Sequence, residues 1–271
     1  MFDWTFYRTL QKGARRMVPE VVRAIRYEVE AAQMADGLFR GRGGRGDLYY
    51  TFFALLLARL LRAKIDRKAC RRAVEAIAPA SLNAVHAAAA IRIRRLLRLP
   101  VRPEHFAALR ALPASAYPQG DPDAPYARFL ITTLLRDFGQ TVSPSDLSRY
   151  RAGPAGYANV PGDAAPAVNA TAAALFLLTG DALRQTAESL RDLQEPDGSF
   201  KAIPAAPQGD LLSTATAAFA LQVHRCPPRL SMRPFLYACF RETGLFAATP
   251  DDPAGDLEYT VYGLLTMGLT S

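Results

Sequence analysis

Residues 194–219 read Gln194-Glu-Pro-Asp-Gly198-Ser-Phe200 and then, after a loop, Gly209-Asp210-Leu-Leu-Ser-Thr214-Ala-Thr-Ala-Ala-Phe219. A glycine breaks the chain, an aspartate follows it, and a run of apolar and small residues begins at once. Aspartate accepts hydrogen bonds from the free N–H groups of a helix's first turn, so the passage reads as turn, cap and helix. The helix is apolar nearly all round, which marks an element buried on both sides.

The same passage occurs twice more. Gln33-Met-Ala-Asp-Gly37-Leu-Phe39 precedes Gly46-Asp47-Leu-Tyr-Tyr-Thr51, and Phe240-Arg-Glu-Thr-Gly244-Leu-Phe246 precedes Gly255-Asp256-Leu-Glu-Tyr-Thr260. Weaker units lie between them. Ala80-Ser81-Leu-Asn83 leads into Ala84 to Leu97, Asp121-Pro-Asp123 into Tyr126 to Phe138, and Gly162-Asp163, through Asn169 and Thr171, into Ala172 to Leu178. With Thr51, Val85, Ala127, Thr171, Thr214 and Thr260 as anchors the spacing is 34 to 46 residues. A period of this size means stacked supersecondary units, here two helices and two loops each. Amphipathic segments at Val18 to Gln33 and Leu183 to Leu193 suit an outer layer, and no strand alternation persists. Proline-rich stretches at 113–125, 154–166 and 204–207 read as loops between units, not as domain linkers. Residues 1–271 are therefore expected to form one all-α domain of about six helical hairpins, an inner helix ring inside an outer one.

Composition narrows the setting. Half of the 271 residues are hydrophobic, so a large core can form. No run of about 18 uncharged apolar residues occurs, so no transmembrane segment is expected. Residues 1–7 lack the basic segment and apolar stretch of a signal peptide. Cys70, Cys226 and Cys239 are scattered and odd in number, which points away from disulfides and cysteine zinc sites and toward a reducing cytoplasm. The formal charge is +8, carried largely by arginine and mostly in the first half. Such a field favours diphosphates, nucleic acid, an acidic partner protein or anionic lipid, while no specific nucleic-acid binding is expected.

The glutamine-glycine-phenylalanine spacing of residues 33–39 and 194–200 resembles the QW repeat of squalene and oxidosqualene cyclases, with Phe in place of Trp. The Asp-x-x-Tyr/Ser-Thr helix start resembles the β subunit of protein prenyltransferases. The similarity covers most of the chain, strongly at both ends. It implies an α/α toroid with a central cavity for an isoprenoid or other apolar small molecule. In the prenyltransferases zinc sits on an Asp-x-Cys at one inner helix start and a His at a later one. The matching frames here are Asp210-Leu-Leu212 and Asp256-Leu-Glu-Tyr259, and one carboxylate does not hold zinc. The resemblance therefore implies zinc-independent chemistry with no resident cofactor, and magnesium only alongside a diphosphate substrate. In the cyclases an Asp-x-Asp-Asp motif supplies the proton. Asp121-Pro-Asp123-Ala124 is the nearest match, which makes Asp123 the candidate acid, although the final aspartate is missing; a helix cap is its plain structural reading.

Other candidates follow from position. Arg42-Gly-Gly-Arg45-Gly precedes the first inner helix, where helix dipoles attract anions, and two arginines there could hold a diphosphate. Tyr49, Tyr50, Tyr126, Tyr259 and Tyr262 gather at helix starts, where an aromatic wall suits an isoprenoid chain or a carbocation. His86 and Arg128 lie early in their helices and could face the same mouth. Asp210 reads first as a cap and second as a ligand group. Two functions follow from these features: an isoprenoid transferase or cyclase-like enzyme, or a non-catalytic module whose basic face docks an acidic protein.

Overall fold

The protein's computed structural model describes residues 2–154 and 156–270. Among these, twelve α-helices carry the chain: α1 (Phe2–Ala14), α2 (Pro19–Ala31), α3 (Leu48–Leu61), α4 (Arg67–Ala76), α5 (Ala84–Leu97), α6 (Pro103–Arg110), α7 (Pro125–Asp137), α8 (Val168–Leu175), α9 (Gly180–Asp192), α10 (Leu211–Val223), α11 (Arg233–Ala238) and α12 (Leu257–Leu269). Two short antiparallel ribbons pair Phe39–Arg40 with Gly46–Asp47 and Arg151–Ala152 with Gly156–Tyr157.

Six helices follow one another as neighbours. α3 packs on α5, α5 on α7, α7 on α8, α8 on α10, α10 on α12, and α12 returns to α3. These are the helices with the most buried residues: nine in α3 and in α10, eight in α5 and in α12. The amphipathic helices α2, α4, α6, α9 and α11 each pack against a member of this cycle.

The repeat explains the local geometry. Asp47, Asp210 and Asp256 cap α3, α10 and α12, each accepting the amide of its helix's third residue, from Tyr50, Ser213 and Tyr259, at 2.7 to 2.8 Å. Asn83 does the same for α5 through the His86 amide. The threonine has a role that the sequence pattern alone does not disclose. Its hydroxyl donates to the carbonyl of the capping aspartate and accepts the amide of the repeat's own phenylalanine: Phe39 to Thr51 at 3.0 Å, Phe200 to Thr214 at 2.9 Å and Phe246 to Thr260 at 3.1 Å. All three rings are buried. The glycine two residues before each ring holds φ between 84° and 91°, the left-handed region that a side chain strains. The glutamine bridges units: Gln33 bonds both backbone groups of Asp66, and Gln194 both of Leu230. Phe240 takes that place in the last repeat and meets the Phe246 ring edge-on instead.

Thr214→Val is expected to destabilise the protein by about 1–3 kcal/mol, because the buried Phe200 amide loses its acceptor. Thr216→Val should cost less, since that hydroxyl bonds carbonyls of its own helix. Equal denaturation midpoints for the two variants would remove the threonine from this anchoring role.

Two weak units depart from expectation. α8 runs Val168–Leu175, starting and ending earlier than the expected Ala172 to Leu178, and Asp163 lies exposed in the loop before it. Here Tyr157 stands in the phenylalanine's place and donates its amide to Thr171 at 3.0 Å. Asp123 does not cap α7. Its amide is held by Asp121, and the Tyr126 amide of the first turn is met from a distance by Asn159 at 3.2 Å.

Candidate functional site

A cavity of about 360 Å3 lies between the six helices of the cycle, and every one of them contributes to its wall. Along α3, α5, α7, α10 and α12 the lining positions recur every three or four residues, as one helix face must. The first turns supply Tyr49, Val85, Tyr126, Asn169 and Leu212, and the later turns supply Arg92, Phe129, Phe176, Phe219 and Leu265.

α1 crosses the far end. Its contacts fall on the later turns of the cycle: Phe2 packs edge-on against Phe129, Phe176 and Phe219 with ring centres 5.2 to 5.5 Å apart, and Asp3 meets Arg92 and Asp137. Close approach to α12 depends on glycine. A Cβ on Gly13 would overlap the Leu264 carbonyl, and one on Gly268 the Thr9 carbonyl. Arg16 then ties the chain after α1 to the carbonyls of Met267 and Thr270.

At the near end the tyrosines form the wall. Tyr49 packs on Phe53 at 4.9 Å, and Phe53 on Tyr262 at 5.7 Å. The Tyr49 hydroxyl donates to Glu258 Oε1 at 2.6 Å. Glu258 is only 7% exposed, although it belongs to the first turn of α12. Burial pushes its pKa up and the charge of Asp256 adds to this, while the Tyr49 hydroxyl works in the opposite direction. The same burial, with the negative charge of Glu258 nearby, pushes the Tyr259 hydroxyl up to about 12.

The structure separates the candidates that the sequence suggests. Tyr49, Tyr126 and Tyr262 line the cavity. Tyr50 does not; its ring lies against the Gly41 backbone. Tyr259 lies under the Arg42 guanidinium at 5.1 Å. Arg42 is a clasp: it bonds Asp256, Asp252 Oδ2 at 2.8 Å and the Ala254 carbonyl at 3.0 Å, joining the first repeat's loop to the last repeat where α12 meets α3. Two of its three nitrogens are thereby engaged, which leaves little of the expected diphosphate ligand. Arg45 is exposed and has no ion pair among the described residues. Asp123 is exposed on its turn, 3.8 Å from Arg128 and from Arg149, and does not reach the cavity wall. Arg128 reaches Ser145 and the Pro144 carbonyl, and His86 is half-buried on α5; neither lines the cavity. Asp210 is occupied as a cap, and burial pushes its pKa up. With Leu212 in the cavity wall and Tyr259 beneath Arg42, the frame of Asp210, Leu212 and Tyr259 offers one carboxylate, a donor set that does not fit zinc.

Glu258 is the residue that sequence reading passes over. Its signal is visible: it is the one charged side chain in an otherwise apolar helix whose cap, Asp256, is already supplied. Phe2, Phe6 and Leu10 carry a comparable signal, apolar residues at four-residue spacing in a segment with no repeat motif. Compared with known proteins, the chain matches no family model and no curated sequence.

Proposed function

We propose that the chain folds as an α/α toroid and is an enzyme of isoprenoid or similar long apolar substrates, working in the central cavity by transfer or cyclisation without zinc. The observation that carries this reading is an aromatic cavity of about 360 Å3, within the range of about 300–1,000 Å3 typical of small-molecule sites, with one buried carboxylate a hydrogen bond behind its wall.

Ring faces stabilise a developing cation, and a carboxylate set in a low-dielectric wall adds to that field. The Tyr49–Glu258 pair suits the end of such a reaction. A C–H bond next to the cationic carbon breaks and its electron pair becomes the new double bond. The proton passes to the Tyr49 oxygen, while the tyrosine's own proton moves along the 2.6 Å hydrogen bond to Glu258. A raised Glu258 pKa makes it a better acceptor near neutral pH.

Native mass spectrometry with farnesol, and product analysis after incubation with farnesyl diphosphate, test the reading. One prenyl chain bound per protein and a rearranged or transferred product are expected. Failure to bind any prenyl chain would sink it. A second reading, a module docking an acidic partner, draws on the +8 charge and the exposed Arg45. A stoichiometric acidic partner together with absent turnover would favour it.

A further inference from the structure

A second pocket adjoins the cavity at the α1 end. This pocket of about 230 Å3 lies between α1, α3 and α5, and it shares Asp3, Phe6, Phe52 and Arg92 with the central cavity. The two spaces therefore adjoin, with Phe6 and Phe52 in the wall common to both. Their chemistry differs. The central space is walled mainly by rings and meets Asp3 and Arg92 at its α1 end, whereas the second adds Arg59 and Arg95 to an otherwise aromatic and apolar lining that includes Trp4 and Tyr7.

The charges do not balance. Asp3 is the one carboxylate in this wall, at 3.1 Å from Arg92 and 3.8 Å from Arg95. Asp137 stands behind it, accepts the Asp3 amide at 2.6 Å, and has its pKa pushed up by burial and by the Asp3 charge. Arg92 is 8% exposed, so its charge is largely removed from water. Arg59 lies over the Tyr7 ring at 5.1 Å and has no ion pair among the described residues. Three arginines thus face one wall carboxylate, Asp3, and Arg92 is the one of them removed from water.

We infer that this pocket holds the head of a phosphate monoester whose single apolar tail runs past Phe6 and Phe52 into the central cavity. A phosphate monoester carries about −1.5 to −2 charge at neutral pH and accepts forked hydrogen bonds from arginine. A single tail suits a cavity of about 360 Å3, which lies near the lower end of the range of about 300–1,000 Å3 for small-molecule sites. The assignment rests on the central cavity accepting a prenyl-type chain. It places the anionic head at the opposite end from Arg42 and Arg45, and so brings the far end of the tail to Tyr49.

Calorimetric titration tests it, with farnesyl monophosphate, farnesol and inorganic phosphate as probes of the full chain. Because Arg92 is buried, the variant is Arg59→Ala/Arg95→Ala, in which both arginines are exposed. Wild type should bind farnesyl monophosphate about tenfold to a hundredfold more tightly than farnesol, the advantage of charge-assisted hydrogen bonds. The double variant should lose that advantage with farnesol affinity unchanged, and Arg45→Ala should keep it. Vesicles carrying a single-chain lysophosphatidic acid replace the soluble ligand in a second arm; arginine-dependent binding in that arm identifies a membrane as the source, and its absence a soluble ester. Equal affinity for alcohol and phosphate, or an advantage lost in Arg45→Ala instead, overturns the head-group site while leaving the cavity reading intact. Binding of neither prenyl probe overturns both.

Discussion

Glu258→Gln is expected to lower turnover by about a hundredfold to ten-thousandfold, the range for loss of a positioned acid–base group, with little change in prenyl-chain affinity. Glutamine keeps the shape and still accepts the Tyr49 hydrogen bond through its carbonyl oxygen, but it takes no proton at neutral pH. Tyr49→Phe should lower turnover in the same direction, because the relay loses its oxygen. The pH dependence has a definite sign. The working form of Glu258 is ionised, so activity is present above its folded-state pKa and lost as pH falls through it. Since burial raises that pKa, the loss sets in at higher pH than for an ordinary glutamate. Stability runs the other way: the folded state binds this proton more tightly, so the contribution of Glu258 to stability falls as pH rises from the unfolded glutamate value to the raised one. Rate–pH profiles of wild type and the variant check this. A Glu258→Gln enzyme with wild-type turnover removes the residue from the chemistry, and a comparable loss in Asp123→Asn instead would return the role to the acid that the sequence pattern suggests.

Phe246→Ala is expected to destabilise the protein by about 3–5 kcal/mol, the cost of removing a fully buried ring. The ring is 1% exposed, packs on Phe240 at 5.1 Å and lies directly over Gly263 of α12, where a Cβ would overlap it. Its backbone is fixed as well: the amide donates to Thr260, so the loop cannot easily move in to fill the space. Little relaxation means a large residual cavity and a cost near the upper end. Phe240→Ala should cost less, because that ring is only partly buried. Denaturant titrations compare the two, and a Phe246→Ala cost at or below that of Phe240→Ala would mean that the repeat's aromatic position is not a structural keystone.

How far each part of the molecule is legible depends on the range of the interaction involved. The aspartate caps were readable because a cap spans three residues of one segment. The helices after Asp47, Asp210 and Asp256 were readable because their apolar character is continuous. The start of α8 was not, since no side chain caps it and its anchoring residue, Tyr157, replaces the usual phenylalanine. At the mouth the same limit applies. Arg42 looked like an anion ligand from its glycine-rich loop, yet its partners Asp252 and Asp256 lie more than two hundred residues away.

The sequence by itself determined the all-α class and the capped inner helices after Asp47, Asn83, Asp210 and Asp256, because each follows from hydrogen bonds and apolar patterning within a few residues. Tertiary structure alone decided which charges remain available. Arg42, prominent in the sequence, is consumed by a clasp between the first repeat and the last. Arg59, Arg92 and Arg95, which read as ordinary basic residues, converge on a pocket because α1 brings Asp3 and Phe6 across the ends of α3 and α5. Glu258 becomes a buried acid only when α12 comes back to α3 and sets it against Tyr49, a contact 209 residues long in sequence. The physical reason is the same throughout: caps and periodicity are local, whereas burial and charge pairing depend on which distant segments meet.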